Sequence, residues 1–386
     1  LEILTEGGAR VIGQTVFFSE PQIDPGLHFI SELRLAFENS SIAAVPESVA
    51  DLEMVVKASR NLVKNKRDAN GRSAIDQISE YLAKSPLKTR VAEEIDSYIK
   101  VLASAEVALD TDIKLGESIA LANNVVLAMP FIPGSQLGPA DEDLPDYVRA
   151  NKLPEDNITD KAKMNPDGPG PISMVNTYAP IAAVGEAAIG IGALVSIPDV
   201  DGGIRSEPLL VDYYGDYFPS MALLLAAKSL NLTVNDIHAE FGNSVSLGRL
   251  NIKTDDRSLM NTFFYSDESG KQAFPVDSFF DVLQGKIPAS KYKDKLVLIG
   301  ATAIGIGDSM VTPINPSMAP VLTLAHSVSS ILNEDFLIQP AWGMYATLGA
   351  FVLVALHLML ALPRMSSVVG FTITALLFII FFSCEY

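Results

Sequence analysis

The residues with the most chemical potential form one short string, Pro198-Asp199-Val200-Asp201-Gly202-Gly203-Ile204-Arg205. Asp-x-Asp-Gly is how a calcium loop begins. The twelfth position counted from Asp199, where such a loop needs a bidentate glutamate, is Leu210. Two readings stay open. One is a hairpin turn in which the aspartates bond backbone amides and Gly202 or Gly203 takes a positive φ. The other is a ligand site built from Asp199, Asp201 and Arg205. A second constellation follows the apolar stretch Leu296-Val297-Leu298-Ile299: a Gly-rich loop carrying Thr302 and Asp308, then Thr312-Pro313. Loops at the C-terminal ends of strands are where α/β folds hold ligands, so these three polar residues are candidates to bind a small molecule or ion. Gly307-Asp308-Ser309-Met310 has the look of a hydrolase nucleophile, but such an enzyme needs a histidine with an aspartate three residues before it. Three before His326 stands Thr323. No Gly-x-Ser-x-Gly and no Walker loop occurs. His326, on the helix that follows, is either a satisfied core histidine or a further ligand contact.

The totals exclude whole classes of function. The 386-residue chain carries a net charge of −18, which argues against nucleic acid as a partner. It has one cysteine, Cys384, and four scattered histidines, so neither a disulfide framework nor a metal centre is expected, and no motif calls for a cofactor.

Two apolar runs end the chain, residues 342–362 and 366–384. The first has one ionisable member, His357, and at 1.5 Å per residue it reaches about 30 Å, the thickness of a bilayer's hydrocarbon core. The Pro363-Arg364-Met365 link allows only a tight antiparallel membrane hairpin. Arg364 assigns that link to the cytoplasmic side, with Trp342 and Tyr345 at the opposite interface, so residues 1–339 are expected outside the cytoplasm. An intramembrane histidine is a functional candidate, but His357 also suits a packing role.

The elements that must position the polar residues alternate between strand and helix patterns. Strands are expected at 9–18, 124–131, 190–197, 204–214, 249–252, 261–265 and 296–300, with 190–197 and 204–214 paired as a hairpin around the Asp199 turn. Helices are expected at 113–123, 219–230, 275–283 and 320–332; that at 219–230 is apolar on nearly every side and therefore buried. Residues 133–171, rich in Pro, Gly and Asp, are expected to be an irregular surface segment. Residues 28–110 have helical periodicity and form an excursion of three or four helices, either a partner surface or an insertion packed on the core. The fold class is α/β: a mixed, largely parallel sheet with flanking helices, a helical insertion and a C-terminal transmembrane helical hairpin. The domain division is 1–27, the start of the main domain; 28–110, the insertion; 111–339, the remainder of the main domain; and membrane helices at 341–362 and 366–384. Leu1 already reads as helix, so a piece of a longer chain is expected.

Several strings, in order and spacing, resemble the CHASE2 extracellular sensor domains of bacterial membrane receptors. They are Ala9-Arg-Val-Ile-Gly, Phe18-Ser-Glu-Pro21, Asn123-Asn-Val-Val-Leu-Ala, Pro198-Asp-Val-Asp-Gly with Arg205 and Pro208, Phe218-Pro-Ser-Met-Ala-Leu, Leu296-Val-Leu-Ile-Gly-Ala-Thr-Ala with Asp308 and Thr312-Pro313, and Ala325-His326 leading to Ile331-Leu332. The resemblance covers residues 9–20 and 112–384. It implies a non-catalytic sensor in a bacterial inner membrane, preceded by one membrane helix and followed by three, that signals to a cytoplasmic kinase or nucleotide cyclase and acts as a homodimer. The form of the last helix, residues 326–332, and the style of the excursion resemble members attached to serine/threonine protein kinases. From other classes, a membrane-anchored ectoenzyme and an envelope or transport accessory protein remain as alternatives.

Overall fold

The computed structural model describes residues 1–386 other than 23, 64–68, 85–86, 141–142, 160–169, 267–272, 304–308, 339–341, 365 and 385–386. It resolves into two compact units, Leu1–Phe336 and Leu337–Tyr386.

In the first unit, consecutive apolar residues make strands that are covered on both faces. Val11–Gln14 lies between Leu296–Ile299 and Val125–Pro133, parallel to both, with Ile12 opposite Val297 on one side and Val125 on the other. Val125–Pro133 then pairs in parallel with Gly190–Leu194 through its first half, and antiparallel with Ile172–Thr177 through its last three residues. The sheet is therefore mixed. Side chains alternate between its faces. Val11, Val126 and Ala128 enter one core with Met221–Ser229; Ile12, Val125, Leu127 and Met129 enter the other with Ile119 and Val184. Met221–Ser229 is buried on every side except at Lys228, and Ser220 caps it by accepting from the Leu223 amide at 3.2 Å. A helix this apolar cannot sit at a surface, and Pro320–Asn333 covers it.

The expected hairpin of 190–197 with 204–214 is not formed. Gly190–Leu194 has both faces buried and takes the parallel place beside Val125–Pro133. The 204–214 stretch breaks at Pro208, which has no amide to donate. Ser206–Pro208 pairs with Leu259–Asn261. Leu210–Tyr213 makes its own hairpin with Asp216–Pro219. Its turn is Tyr214-Gly215, at φ 51° and 88°, the pattern whose twist matches the flanking strands. The described part of residues 133–171 also holds regular elements. Asp146–Arg149 is a helical turn that buries Val148, and Ile158–Thr159 adds in parallel to Ile237–Glu240 at the edge of a second, four-stranded sheet. Residues 160–169 of that segment lie outside the described residues.

Residues 25–109 fold as four helices, Pro25–Glu38, Val45–Val63, Ala69–Lys84 and Leu87–Leu109. Asp24 caps the first by accepting from Gly26 and Leu27, and Arg34 ties it to Glu106 at 2.9 Å. Among their described residues none is buried.

In the second unit, Gly343–Leu356 is α-helical, widens to a π-turn at His357–Ala361 and tightens at Leu362–Arg364. Gly343–Arg364 is one helix long and apolar enough to cross a membrane. Ser367–Cys384 is a second helix, and His357 Nε2 lies 3.2 Å from Thr374 Oγ1 on it.

Gly300 ends the edge strand beneath the helix Pro320–Asn333. A Cβ there would stand 2.7 Å from the Val321 Cβ, with Thr15 on its other side. Gly300→Ala should therefore destabilise the protein by about 1–3 kcal/mol in denaturant unfolding, the usual cost of overpacking. Unchanged stability would show that strand end and helix part freely.

Candidate functional site

The helix Pro320–Asn333 starts with proline at its first position, where the missing amide costs nothing. Thr323, His326, Ser327 and Ser330 follow at i, i+3, i+4 and i+7, so they form one stripe. All four are buried, next to Val321, Leu324, Val328 and Ile331. Buried polar groups need partners, and here one stretch of backbone supplies those of two of the four. The Ser330 hydroxyl donates to the Phe263 carbonyl at 3.1 Å and accepts from the Phe263 amide at 3.0 Å. The Tyr265 amide donates to His326 Nδ1 at 3.1 Å. This is why the strand expected over 261–265 stops at Thr262 in the observed Leu259–Thr262: from Phe263 onward the backbone bonds to helix side chains instead of a neighbouring strand. Thr323 Oγ1 has no hydrogen-bond partner.

His326 is 1% exposed and packs among Phe264, Tyr265 and Phe274, with ring centroids 5.1, 6.0 and 4.8 Å away. Burial pushes its pKa down to about 4, and an amide donating to Nδ1 requires the neutral ring. His326 is thus a satisfied core group.

The fourth partner is one that sequence reading missed. Ser327 Oγ donates to Glu207 Oε2 at 3.1 Å and lies 3.4 Å from Thr262 Oγ1. Glu207, in the short strand Ser206–Pro208, is 9% exposed, and no described cation pairs with it. Burial pushes its carboxyl up to about 7, while the hydroxyls of Ser327 and Ser220 draw it partly back by bonding the ionised form. The signal available in the sequence was an acidic residue inside an otherwise buried strand, opposite a helix with hydroxyls at helical spacing.

The Asp199–Arg205 string is a turn, though not the turn of a hairpin. The Gly202 amide donates to the Asp199 carbonyl and the Asp199 amide to the Gly203 carbonyl, both at 2.9 Å. Gly202 takes φ +82°. Arg205 lays its guanidinium on Asp201 at 2.6 and 2.8 Å and on Asp199 at 2.7 Å. The Arg205 hydrogen bonds, then the Gly203 amide, hold the Asp201 carboxyl well below the usual carboxylate range. All three side chains are largely solvent-exposed.

This turn is brought to the Thr312 segment. The Ile204 amide donates to the Val311 carbonyl at 2.7 Å, and Ser196 Oγ lies 3.7 Å from Met310 Sδ. The Thr312 hydroxyl is engaged in its own turn, donating to the Asn315 carbonyl at 2.9 Å and accepting from the Asn315 amide at 3.1 Å. Thr302 is exposed, just past the end of Leu296–Ile299. Asp308 and the rest of the Gly-rich loop at 304–308 lie outside the described residues. Among the described residues, no group of three or more His, Cys, Asp or Glu side chains is placed to hold a metal ion.

The model of the CHASE2 domain family matches residues 1–362. The chain belongs to the CHASE2 family. CHASE2 domains are sensory domains of membrane receptors, in keeping with a ligand-sensing role and with no catalytic step for this segment. The CHASE2 match runs across the four helices of residues 25–109 and the first apolar helix, and stops before the second. No curated protein and no solved structure matches the chain.

Two pairs of substitutions test this description. Ser330→Ala leaves the Phe263 amide and carbonyl without a side-chain partner, and should lower unfolding free energy by about 1–3 kcal/mol. The adjacent Ser329→Ala, outside the stripe, should stay within about 0.5 kcal/mol. At Gly202 a Cβ would meet nothing within 4 Å, so Gly202→Val should cost only backbone strain, about 1–3 kcal/mol. Gly202→Asn, which tolerates positive φ, should recover part of that loss in the same melt.

Proposed function

We propose that this chain is the extracytoplasmic, ligand-sensing part of a bacterial inner-membrane receptor that signals through membrane helices to a cytoplasmic effector. The observation that carries the reading is the match to a sensory family whose model itself extends over the apolar helix Gly343–Arg364. The ligand, a small molecule or ion, enters at the C-terminal ends of Val11–Gln14 and Leu296–Ile299. The strand order turns about that pair: Val125–Pro133 lies on one side of Val11–Gln14 and Leu296–Ile299 on the other, the kind of switch point at which α/β sheets bind ligands. Thr302 and Asp308 follow that end in sequence, and Arg205, Asp199 and Asp201 belong to the turn attached to the Thr312 segment. Motion of this loop reaches the helix Pro320–Asn333 through the packing of Gly300 under Val321.

Output then passes along residues 333–340, of which 339 and 340 are outside the described residues, into two antiparallel membrane helices; the contact between His357 and Thr374 supports that hairpin. A serine/threonine protein kinase is the effector favoured by the form of residues 326–332. The receptor works as a homodimer joined through residues 28–110. That stretch carries 11 basic and 13 acidic residues in a chain of net charge −18, and its helices expose Phe29, Leu33, Met54 and Tyr98. A second copy of so acidic a chain meets least repulsion there.

The topology is directly testable in a Cys384→Ser background. In intact spheroplasts an impermeant maleimide should label a cysteine placed at Val200, a fully exposed position, and spare one placed at Pro363, which leaves Arg364 in place. The opposite labelling would overturn the orientation and the sensor reading with it.

A further inference from the structure

Glu207 is an unusual group for a sensor to keep in its interior. It is nine-tenths buried, and it takes a hydrogen bond from Ser327 on the helix Pro320–Asn333 at 3.1 Å. The hydroxyl of Ser220, the cap residue of Met221–Ser229, also favours its ionised form. The titratable or charged groups on the surrounding elements all face elsewhere. Arg205, two residues away, is spent on Asp199 and Asp201. His326 faces its aromatic neighbours and the Tyr265 amide. Lys228 lies at the far end of its helix from Ser220. Asp335 bonds Tyr265 Oη at 3.0 Å. The paired strand contributes Leu259, Met260 and Asn261, none of which titrates.

A buried carboxyl without a cation is stable when it holds a proton and strained when it does not. We propose that Glu207 is a proton-binding site of the sensor, and that proton binding there sets how tightly the helix Pro320–Asn333 is held to the core. With the proton bound, the carboxyl is neutral and stays bonded to Ser327 at little cost. With the proton released to solvent, a buried anion has two hydroxyl donors and no opposing charge, and the cheapest relief is to draw the helix away and admit water. Proton concentration thus becomes a second input, acting on the element that leads to the membrane.

The direction of the effect follows from linkage. Burial raises the Glu207 carboxyl from 4.5 to about 7 in the folded state. The stability it contributes is complete below about pH 4.5 and is lost as pH rises through about 7. His326 works in the opposite sense: its folded value lies at about 4, below the ordinary 6.5, so its contribution is lost as pH falls from 6.5 to about 4. Comparing wild type with Glu207→Gln cancels the histidine.

The test uses the full chain in lipid nanodiscs. Hydrogen exchange is followed at the amides of residues 320–333, corrected for the intrinsic pH dependence of exchange. Wild-type protection taken relative to that of Glu207→Gln should fall as pH rises from about 5 to 7, by up to about tenfold per pH unit, and level off above. Glu207→Gln by itself should keep only the opposite slope of His326. Ser327→Ala, which deletes a donor to the ionised form, should move the upper end of the fall to higher pH. The same pH profile in wild type and Glu207→Gln would overturn the proposal. So would protection that depends on sodium or potassium concentration at fixed pH, which would assign the site to a metal cation. Should Glu207→Gln not fold, infrared titration of wild type and Ser327→Ala decides. A protonated carboxyl persisting to near-neutral pH, with its midpoint raised in Ser327→Ala, supports the switch; none above about pH 5.5 overturns it. The proposal rests on reading this helix as the sensor's exit, but the titration tests the site and maleimide labelling tests the topology, so either can fail alone.

Discussion

A helix that is buried on the side carrying two serines and a histidine must find hydrogen-bond partners for them, because each unpaired polar group costs on the order of 1–3 kcal/mol. In Pro320–Asn333 this requirement shapes the neighbourhood. It draws residues 263–265 out of the sheet and against the helix, where Ser330 and His326 satisfy backbone groups that a strand would have satisfied. It also holds Ser206–Pro208 so that Glu207 reaches Ser327. Apolar packing alone would let a helix slide or rotate by small steps. A stripe of directional bonds gives it one seated position, and leaving that position breaks several bonds together.

The sheet supplies the rigid half of this arrangement. Its parallel strands are covered on both faces, one by Met221–Ser229 and the other by Thr111–Ala122 with Ala182–Gly185. The seated helix lies over Met221–Ser229, so the layers run from sheet to core helix to the helix Pro320–Asn333. Glu207 is bonded to the outer of these helices through Ser327. Its burial is costly in the charged form, which is what makes the contact responsive as well as structural.

The Asp199–Arg205 turn follows different physics. Its three charges are exposed, and exposed ion pairs contribute little to stability, on the order of 0–1 kcal/mol. What the pairing does is fix the shape of a loop whose backbone already closes on itself through Asp199, Gly202 and Gly203. The turn then bridges to Val311 through Gly203 and the Ile204 amide.

The sequence by itself determined the elements whose signals are local. Period-two and continuous apolar runs placed Val11–Gln14, Val125–Pro133 and Leu296–Ile299; the all-round apolar pattern marked Met221–Ser229 as buried; proline at its first position set the start of Pro320–Asn333; and Gly202 was one of two glycines read as taking a positive φ. Only the tertiary structure decided which strands pair. Hydrophobic pattern says that Gly190–Leu194 is buried, but not that its partner lies sixty residues earlier in Val125–Pro133 rather than just across the Asp199 turn. The same holds for Glu207. A carboxylate in a sequence looks alike whether it faces water or a serine 120 residues away, and its proton affinity is a property of that surrounding and not of the residue.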